Sequence, residues 1–219
     1  MDSVLAAIQS ELDNVTNQPR GKDYNRIARK FYRQMPVADD EFVYVCNDLV
    51  QSHKPGTFWL ATVWIKRRGS VYKPDYFPIY EKWLFNHATS WGRCDALCYR
   101  VLNPILEEYP HLFTHNLSWT ASAKTYVRRA SAVSLMQSTH TFRVNVQWEK
   151  VTAVVKRLQS DSELHVQTAI GWLLKYSYLT YPFQVEEYLR ENVQTMTRTA
   201  FRYSLEKMPD QLRQQLMSL

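Results

Sequence analysis

The chain has 219 residues, enough for one sizeable core or a short array of repeats and too few for two comfortable domains. Its 27 lysines and arginines outnumber its 21 aspartates and glutamates, a net charge of +6 that favours an anionic partner such as nucleic acid but does not separate DNA from RNA or an acidic membrane surface. With 5 glycines, 14% aromatic residues and few alternating segments, disorder is excluded and an all-α chain is expected.

The opening stretch MDSVLAAIQSELDN mixes acids into an amphipathic pattern, where a secretory leader needs a basic start and an apolar run. No apolar stretch approaches a membrane span, so a soluble cytoplasmic protein is expected, associated with the nucleoid when on DNA and with no membrane partner. In NRIARKFYRQM, Arg26, Arg29, Lys30 and Arg33 fall at i, i+3, i+4 and i+7, one stripe down a helix that Pro36 closes. SHKPGT (52–57) reads as a turn, and Lys66, Arg67 and Arg68 as a basic cluster at the next helix end. The Pro-rich stretch 74–78 is a further turn.

TSWGRCDALCYR (89–100) reads as an apolar helix with Trp91 and Asp95 one turn apart on one face, and His87 one turn earlier. After Pro110, KTYVRRASAVSLM carries Arg128 and Arg129, and HVQTAIGWLLKYSY carries Trp172. Beyond Pro182, Arg198 and Arg202 stand at i, i+4. Segments recur at about 17–20 residues, roughly 35–40 per helix pair, the range of helical solenoids. The expected architecture is a single domain, residues 1–219, of degenerate HEAT-like helical repeats. One basic stripe is usually a solvated face; four clusters sharing a concave side would form a groove for a nucleic-acid backbone.

Cys46, Cys94 and Cys98 are an odd number without a disulfide framework and suit a reducing compartment. Cys94 with Cys98, and His111 with His115, stand at i, i+4, but neither pair has third and fourth ligands at a recognised spacing, so neither a metal nor a cofactor is expected. A phosphate loop, a nucleophile elbow and a CxxC motif are all missing. Taken singly, Trp91 and Trp172 read as core, and Asp95 as a capped or paired acid.

In combination they are more specific. The ordered pieces SWGRCD, YVRRASAV, VQTAIGWLLKY and TRTAFRYSLEKM resemble the AlkD-like DNA alkylation repair glycosylases, a family built of HEAT-like repeats, over about residues 37–208. The resemblance implies that Trp91 and Asp95 are the family's W-x-x-x-D pair, that Trp91 and Trp172 face the deoxyribose of a damaged nucleotide, and that Asp95 is catalytic. It assigns Arg129 to the DNA backbone and matches Arg198 to a later helix arginine, and the basic clusters add Arg128 and Arg202 as DNA-contacting candidates. The expected partner is duplex DNA, damaged or intact, bound by a monomer, and the lesion need not be buried in a pocket as it is in base-flipping enzymes.

The chemistry fits those residue types. A purine alkylated at N3 or N7 is a cationic leaving group, and losing it leaves an oxocarbenium-like sugar that a carboxylate and aromatic faces stabilise. No general acid is evident, so uncharged adducts are expected to leave poorly. The sequence departs from the family in having Tyr126 where tryptophan is frequent and in a segment ahead of SWGRCD that is shorter by about one helix and its loop. The alternative is therefore a HEAT-like DNA-binding protein that lacks alkylpurine excision because its N-terminal recognition element is shortened. Protein–protein scaffolding is a third class open to solenoids.

Overall fold

The computed structural model describes residues 2–14, 21–52, 54–138 and 142–219; Met1 of the opening stretch and His53 of the SHKPGT turn lie outside the described residues. Two compact units divide the chain, Met1–His87 and Ala88–Leu219. Among the described residues both are helical, apart from one pair of two-residue strands in the second, and no helix is long and apolar enough to cross a membrane.

The first unit contains α1 (Asp2–Asp13), α2 (Gly21–Phe31), α3 (Asp39–Gln51), α4 (Thr57–Arg67) and α5 (Phe77–His87). In α2 the apolar stripe Ile27, Ala28 and Phe31 is buried while the basic residues face out. The helix then tightens into a 3-10 turn, Tyr32–Gln34, so Arg33 leaves the stripe expected of it. Asp39, Asp40 and Glu41 occupy the first turn of α3, where they complement the helix dipole. Gly56, with φ 82°, makes the left-handed turn into α4. The core closes around Trp64 and Trp83, whose indole N–H groups donate to the Ala28 carbonyl (2.9 Å) and to Asn47 Oδ1 (3.0 Å). His87 ends α5 and Trp91 begins the next helix, so the two do not share the helical face read from the sequence.

The second unit opens with α6 (Trp91–Leu97), which runs through a π-helical turn (Cys98–Leu102) into α7 (Asn103–Glu108). Pro104 accounts for that turn. It has no N–H to give the Arg100 carbonyl, and the Asn103 N–H reaches back five residues to the Cys98 carbonyl. There follow α8 (Phe113–Ser118), α9 (Thr125–Val133), and strands β1 (Gln137–Ser138) and β2 (Phe142–Arg143), antiparallel with Gln137 opposite Arg143. The unit finishes with α10 (Trp148–Leu158), α11 (Leu164–Ser177), α12 (Pro182–Asn192), α13 (Arg198–Ser204) and α14 (Asp210–Met217).

Helix α11 is the centre of this unit, packed against α9, α10 and α13. Its buried Gln167 ties three elements together: Nε2 donates to the carbonyls of Leu158 (3.0 Å) and Asp161 (2.6 Å), and Oε1 accepts from the hydroxyl of Thr197 (2.6 Å). Thr197 in turn caps α13 by accepting from the Ala200 N–H. One turn along α11, Gly171 lets α13 approach closely, since a Cβ there would sit 2.7 Å from the Ala200 carbonyl oxygen and 2.8 Å from Tyr203 Cβ.

Replacing a helical glycine by alanine ordinarily stabilises by about 0.5–1 kcal/mol. Gly171→Ala is expected to act in the opposite sense, costing about 1–3 kcal/mol because the added methyl meets the backbone of α13. Urea unfolding of the two proteins checks it, and a stabilised variant contradicts the close crossing.

Candidate active site

Residues Trp91, Asp95, Arg129, His165, Thr168, Trp172 and Tyr203 line one open cleft of about 450 Å³ in the second unit. Four helices build it. Ser90 caps α6 by accepting from the Arg93 N–H (3.3 Å), which fixes the first turn and sets Trp91 at the lip. Trp91 is 58% exposed, whereas Asp95, one turn on, is only 6% exposed. The i, i+4 spacing thus puts a wet aromatic face and a dry carboxylate on the same wall.

Asp95 meets Arg129 of α9 in a two-pronged ion pair: Nε donates to Oδ1 (2.8 Å) and Nη2 to Oδ2 (2.9 Å). Arg129 is itself 5% exposed, and its Nη1 donates to the His165 carbonyl (2.7 Å) and Thr168 Oγ1 (3.2 Å) on α11. Burial by itself would lower the Arg129 pKa, but the bonded charge of Asp95 outweighs it and raises it. The guanidinium therefore stays charged and joins α6, α9 and α11 at one point. A carboxylate has about four acceptor positions, of which Arg129 occupies two, so Asp95 keeps capacity for a group in the cleft.

Trp172 forms the opposite aromatic wall and is half-buried on a stack of rings. Phe142 of β2 lies edge-on to it at 4.8 Å between centroids, and Tyr99 of the π-helical turn at 5.8 Å. Burial, reinforced by the charge of Asp95, pushes the Tyr99 hydroxyl pKa upward, so it remains a neutral phenol. The Arg129 guanidinium lies 6.0 Å from the Trp172 ring.

Of the residues singled out in the sequence, Trp91, Asp95, Arg129 and Trp172 meet in this cleft. Arg129, expected on the DNA backbone, instead has its guanidinium bound inside the protein. Arg128 is engaged elsewhere too. Its Nε and Nη2 donate to Asp161 (2.5 and 3.3 Å) and its Nη1 to the Ser122 carbonyl (2.9 Å), which ties α9 to the α10–α11 turn. Arg198 and Arg202 remain exposed on α13. In the first unit, Arg26 and Lys30 both pair with Glu11, Arg29 donates to the Asn25 carbonyl (3.3 Å), and Arg67 lies 4.4 Å over the Tyr32 ring. Arg26, Arg29, Lys30, Arg33, Lys66 and Arg67 are all exposed.

The cysteine pair serves packing, whereas both histidines are exposed. Cys94 and Cys98 are buried against α9, their sulfurs 3.2 Å from the Tyr126 carbonyl and 3.9 Å from the Ala130 carbonyl, and burial pushes the Cys98 thiol pKa up. His111 lies in a 3-10 turn ahead of the helix that holds His115. Among the described residues no group of three or more acidic, histidine or cysteine side chains is placed to hold a metal ion.

Sequence reading missed His165, Thr168 and Tyr203. The first two had a signal, since they precede Trp172 by seven and four residues and so share its helical stripe. Tyr203 had none, because it reaches the cleft only through the close crossing at Gly171.

Residues 20–208 match the sequence profile described as DNA alkylation repair enzyme. No curated protein matches the sequence. Among solved structures, the fold is similar to a predicted DNA alkylation repair enzyme from Enterococcus faecalis, with a TM-score of 0.74 at 13% identity over 95% of this chain and 94% of that one. It is also similar to AlkD2 from Streptococcus mutans, with a TM-score of 0.66 at 14% identity over 95% and 99% of the two chains. A third similar structure is the Pseudomonas fluorescens alkylpurine DNA glycosylase AlkC bound to DNA containing an abasic site analog, with a TM-score of 0.55 at 14% identity over 98% of this chain and 66% of that one. These likenesses establish the helical-repeat fold.

The buried pair sets an energetic expectation. Arg129→Ala strands the Asp95 carboxylate away from water and is expected to cost about 3–5 kcal/mol of stability. The same change in an Asp95→Asn background is expected to cost distinctly less, because no charge is then left alone. Urea unfolding of the four proteins measures the coupling, and strictly additive losses would contradict the pairing.

Proposed function

Because the chain belongs to the DNA alkylation repair enzyme family, we propose that it is a monofunctional glycosylase, hydrolysing the N-glycosidic bond of N3- or N7-alkylated purines in duplex DNA. The observation that carries this reading is the meeting of Trp91, Asp95 and Trp172 in one open cleft, with the carboxylate held rigidly by Arg129. An alkylated purine already bears the positive charge that makes it leave. What the protein must supply is stabilisation of the cationic sugar and a placed water.

Asp95 provides the negative charge for both tasks: it faces the developing charge at C1′ and accepts a hydrogen bond from the attacking water. Its two bonds to Arg129 keep it from reorganising during the reaction, which is what makes such a charge effective in a partly dry site. Trp91 and Trp172 add cation–π attraction, about 0.5–2 kcal/mol each. The openness of the cleft suits a substrate that stays largely in the duplex. The similar Pseudomonas fluorescens structure is named for alkylpurine DNA glycosylase activity and holds DNA, which supports carrying that chemistry to this chain.

With Arg128 and Arg129 occupied internally, Arg198 and Arg202 of α13 are the second unit's candidates for phosphate contact, beside Tyr203 at the cleft. The exposed cations of the first unit, Arg26, Arg29, Lys30, Arg33, Lys66 and Arg67, add to a salt-sensitive attraction for duplex DNA.

Duplex DNA carrying a single 7-methylguanine is expected to acquire an abasic site on incubation with the protein. Asp95→Asn is expected to slow that release by about 10²–10³ while changing DNA affinity little. Arg198→Ala with Arg202→Ala is expected to weaken binding and flatten its log–log salt dependence by roughly 0.9 for each phosphate no longer neutralised. Equal excision by wild type and Asp95→Asn would refute the mechanism. Tight, salt-sensitive binding with no base released would assign the chain to the binding proteins of its fold.

A further inference from the structure

The cleft contains an ionisable side chain that release of a cationic base does not require. His165 lies on α11 at the wall shared by Asp95, Arg129 and Trp172. One contact holds its backbone and one its ring. Its own carbonyl accepts from Arg129 Nη1 at 2.7 Å, and its ring lies against that of Tyr126 with centroids 5.5 Å apart. Arg129 is the residue that grips Asp95, so two short contacts place the backbone at His165 relative to the carboxylate. Both oxygens of Asp95 accept bonds from the Arg129 guanidinium. Tryptophan and threonine side chains supply no proton near neutral pH. Imidazole is the side chain whose charge changes nearest neutrality.

Resting on the glycosylase reading, we infer that His165 is a general acid that extends the activity to uncharged purine adducts. The sequence offered no such acid because His165 lies 70 residues from Asp95 along the chain. An uncharged base leaves poorly as an anion, and protonating a ring nitrogen as the bond breaks removes that barrier. In this step the C1′–N bond breaks and its electron pair goes to the base. The imidazolium N–H proton passes to a purine ring nitrogen. Water, oriented by Asp95, forms the new C1′–O bond and releases its proton to solvent, which reprotonates the imidazole. The sum is one water consumed, with a free base and an abasic sugar formed. Among the described residues, the charged and titratable groups that share the cleft wall with His165 are Asp95 of α6, Arg129 of α9 and Tyr203 of α13, with Tyr126 of α9 against its ring and Arg128 of the same helix paired with Asp161.

The test compares two duplexes, one carrying 7-methylguanine and one carrying the uncharged adduct 1,N6-ethenoadenine. Wild type is expected to release both, with ethenoadenine release declining from mildly acidic to mildly alkaline pH and 7-methylguanine release nearly level. His165→Phe, which retains an aromatic ring against Tyr126, is expected to lower ethenoadenine release about 10²-fold or more, to abolish its pH dependence, and to lower 7-methylguanine release far less. Release of 7-methylguanine without ethenoadenine by wild type overturns the inference and leaves the glycosylase reading standing. Equal loss of both in His165→Phe makes the residue structural and also overturns it. Release of neither base by wild type removes the glycosylase reading and this inference together.

Discussion

The second unit turns on one ion pair, Asp95 with Arg129, both nearly closed off from solvent. A buried pair of this kind adds little net stability, since desolvating two charges consumes most of their attraction. Its value is positional. A guanidinium offers a planar fork, and the two prongs on Asp95 leave the carboxylate with little freedom to turn. The remaining nitrogen reaches α11, so the geometry of Asp95 depends on three helices instead of the short one that carries it. That dependence suits a group required to hold charge at one point during a reaction.

The surrounding structure keeps that arrangement in register. Gln167, one residue before Thr168 on α11, bonds to the end of α10 and to the residue capping α13. Arg128 bonds to Asp161 next door. Adjacent arginines on α9 therefore anchor opposite sides of α11's beginning, one toward the cleft and one toward the preceding turn. The aromatic wall is supported separately, since Phe142 and Tyr99 both touch the Trp172 ring. Tyr99 lies in the π turn that follows Asp95.

A cleft holding a fixed carboxylate, aromatic faces and an imidazole has two chemistries within reach. In the proposed glycosylase reading the carboxylate and rings serve a base that arrives charged. On the proposed reading the imidazole matters only for one that does not, and the cleft would then separate substrate classes by proton requirement more than by shape. An open cleft is consistent with this division, because it imposes little steric selection on the base.

The helices, their solvent-facing stripes and the pairing of Trp91 with Asp95 were legible in the amino-acid sequence, because 3.6-residue periodicity and turn-forming residues act over a few positions. The ordered motifs likewise pointed to Trp172 and Arg129 as members of one site, and both line the cleft. The sequence did not indicate the partners of the charges. Arg128 and Arg129 are neighbours on one helix and both read as surface cations, yet each finds an aspartate more than thirty residues away. The same holds for Tyr203, which depends on a glycine on another helix, and for His165, whose relation to Asp95 runs through Arg129. Periodicity specifies which face of a helix is buried. Which side chain it is buried against is decided by helix-to-helix packing between distant segments, and only the tertiary structure decides whether a charge meets solvent, DNA or another charge.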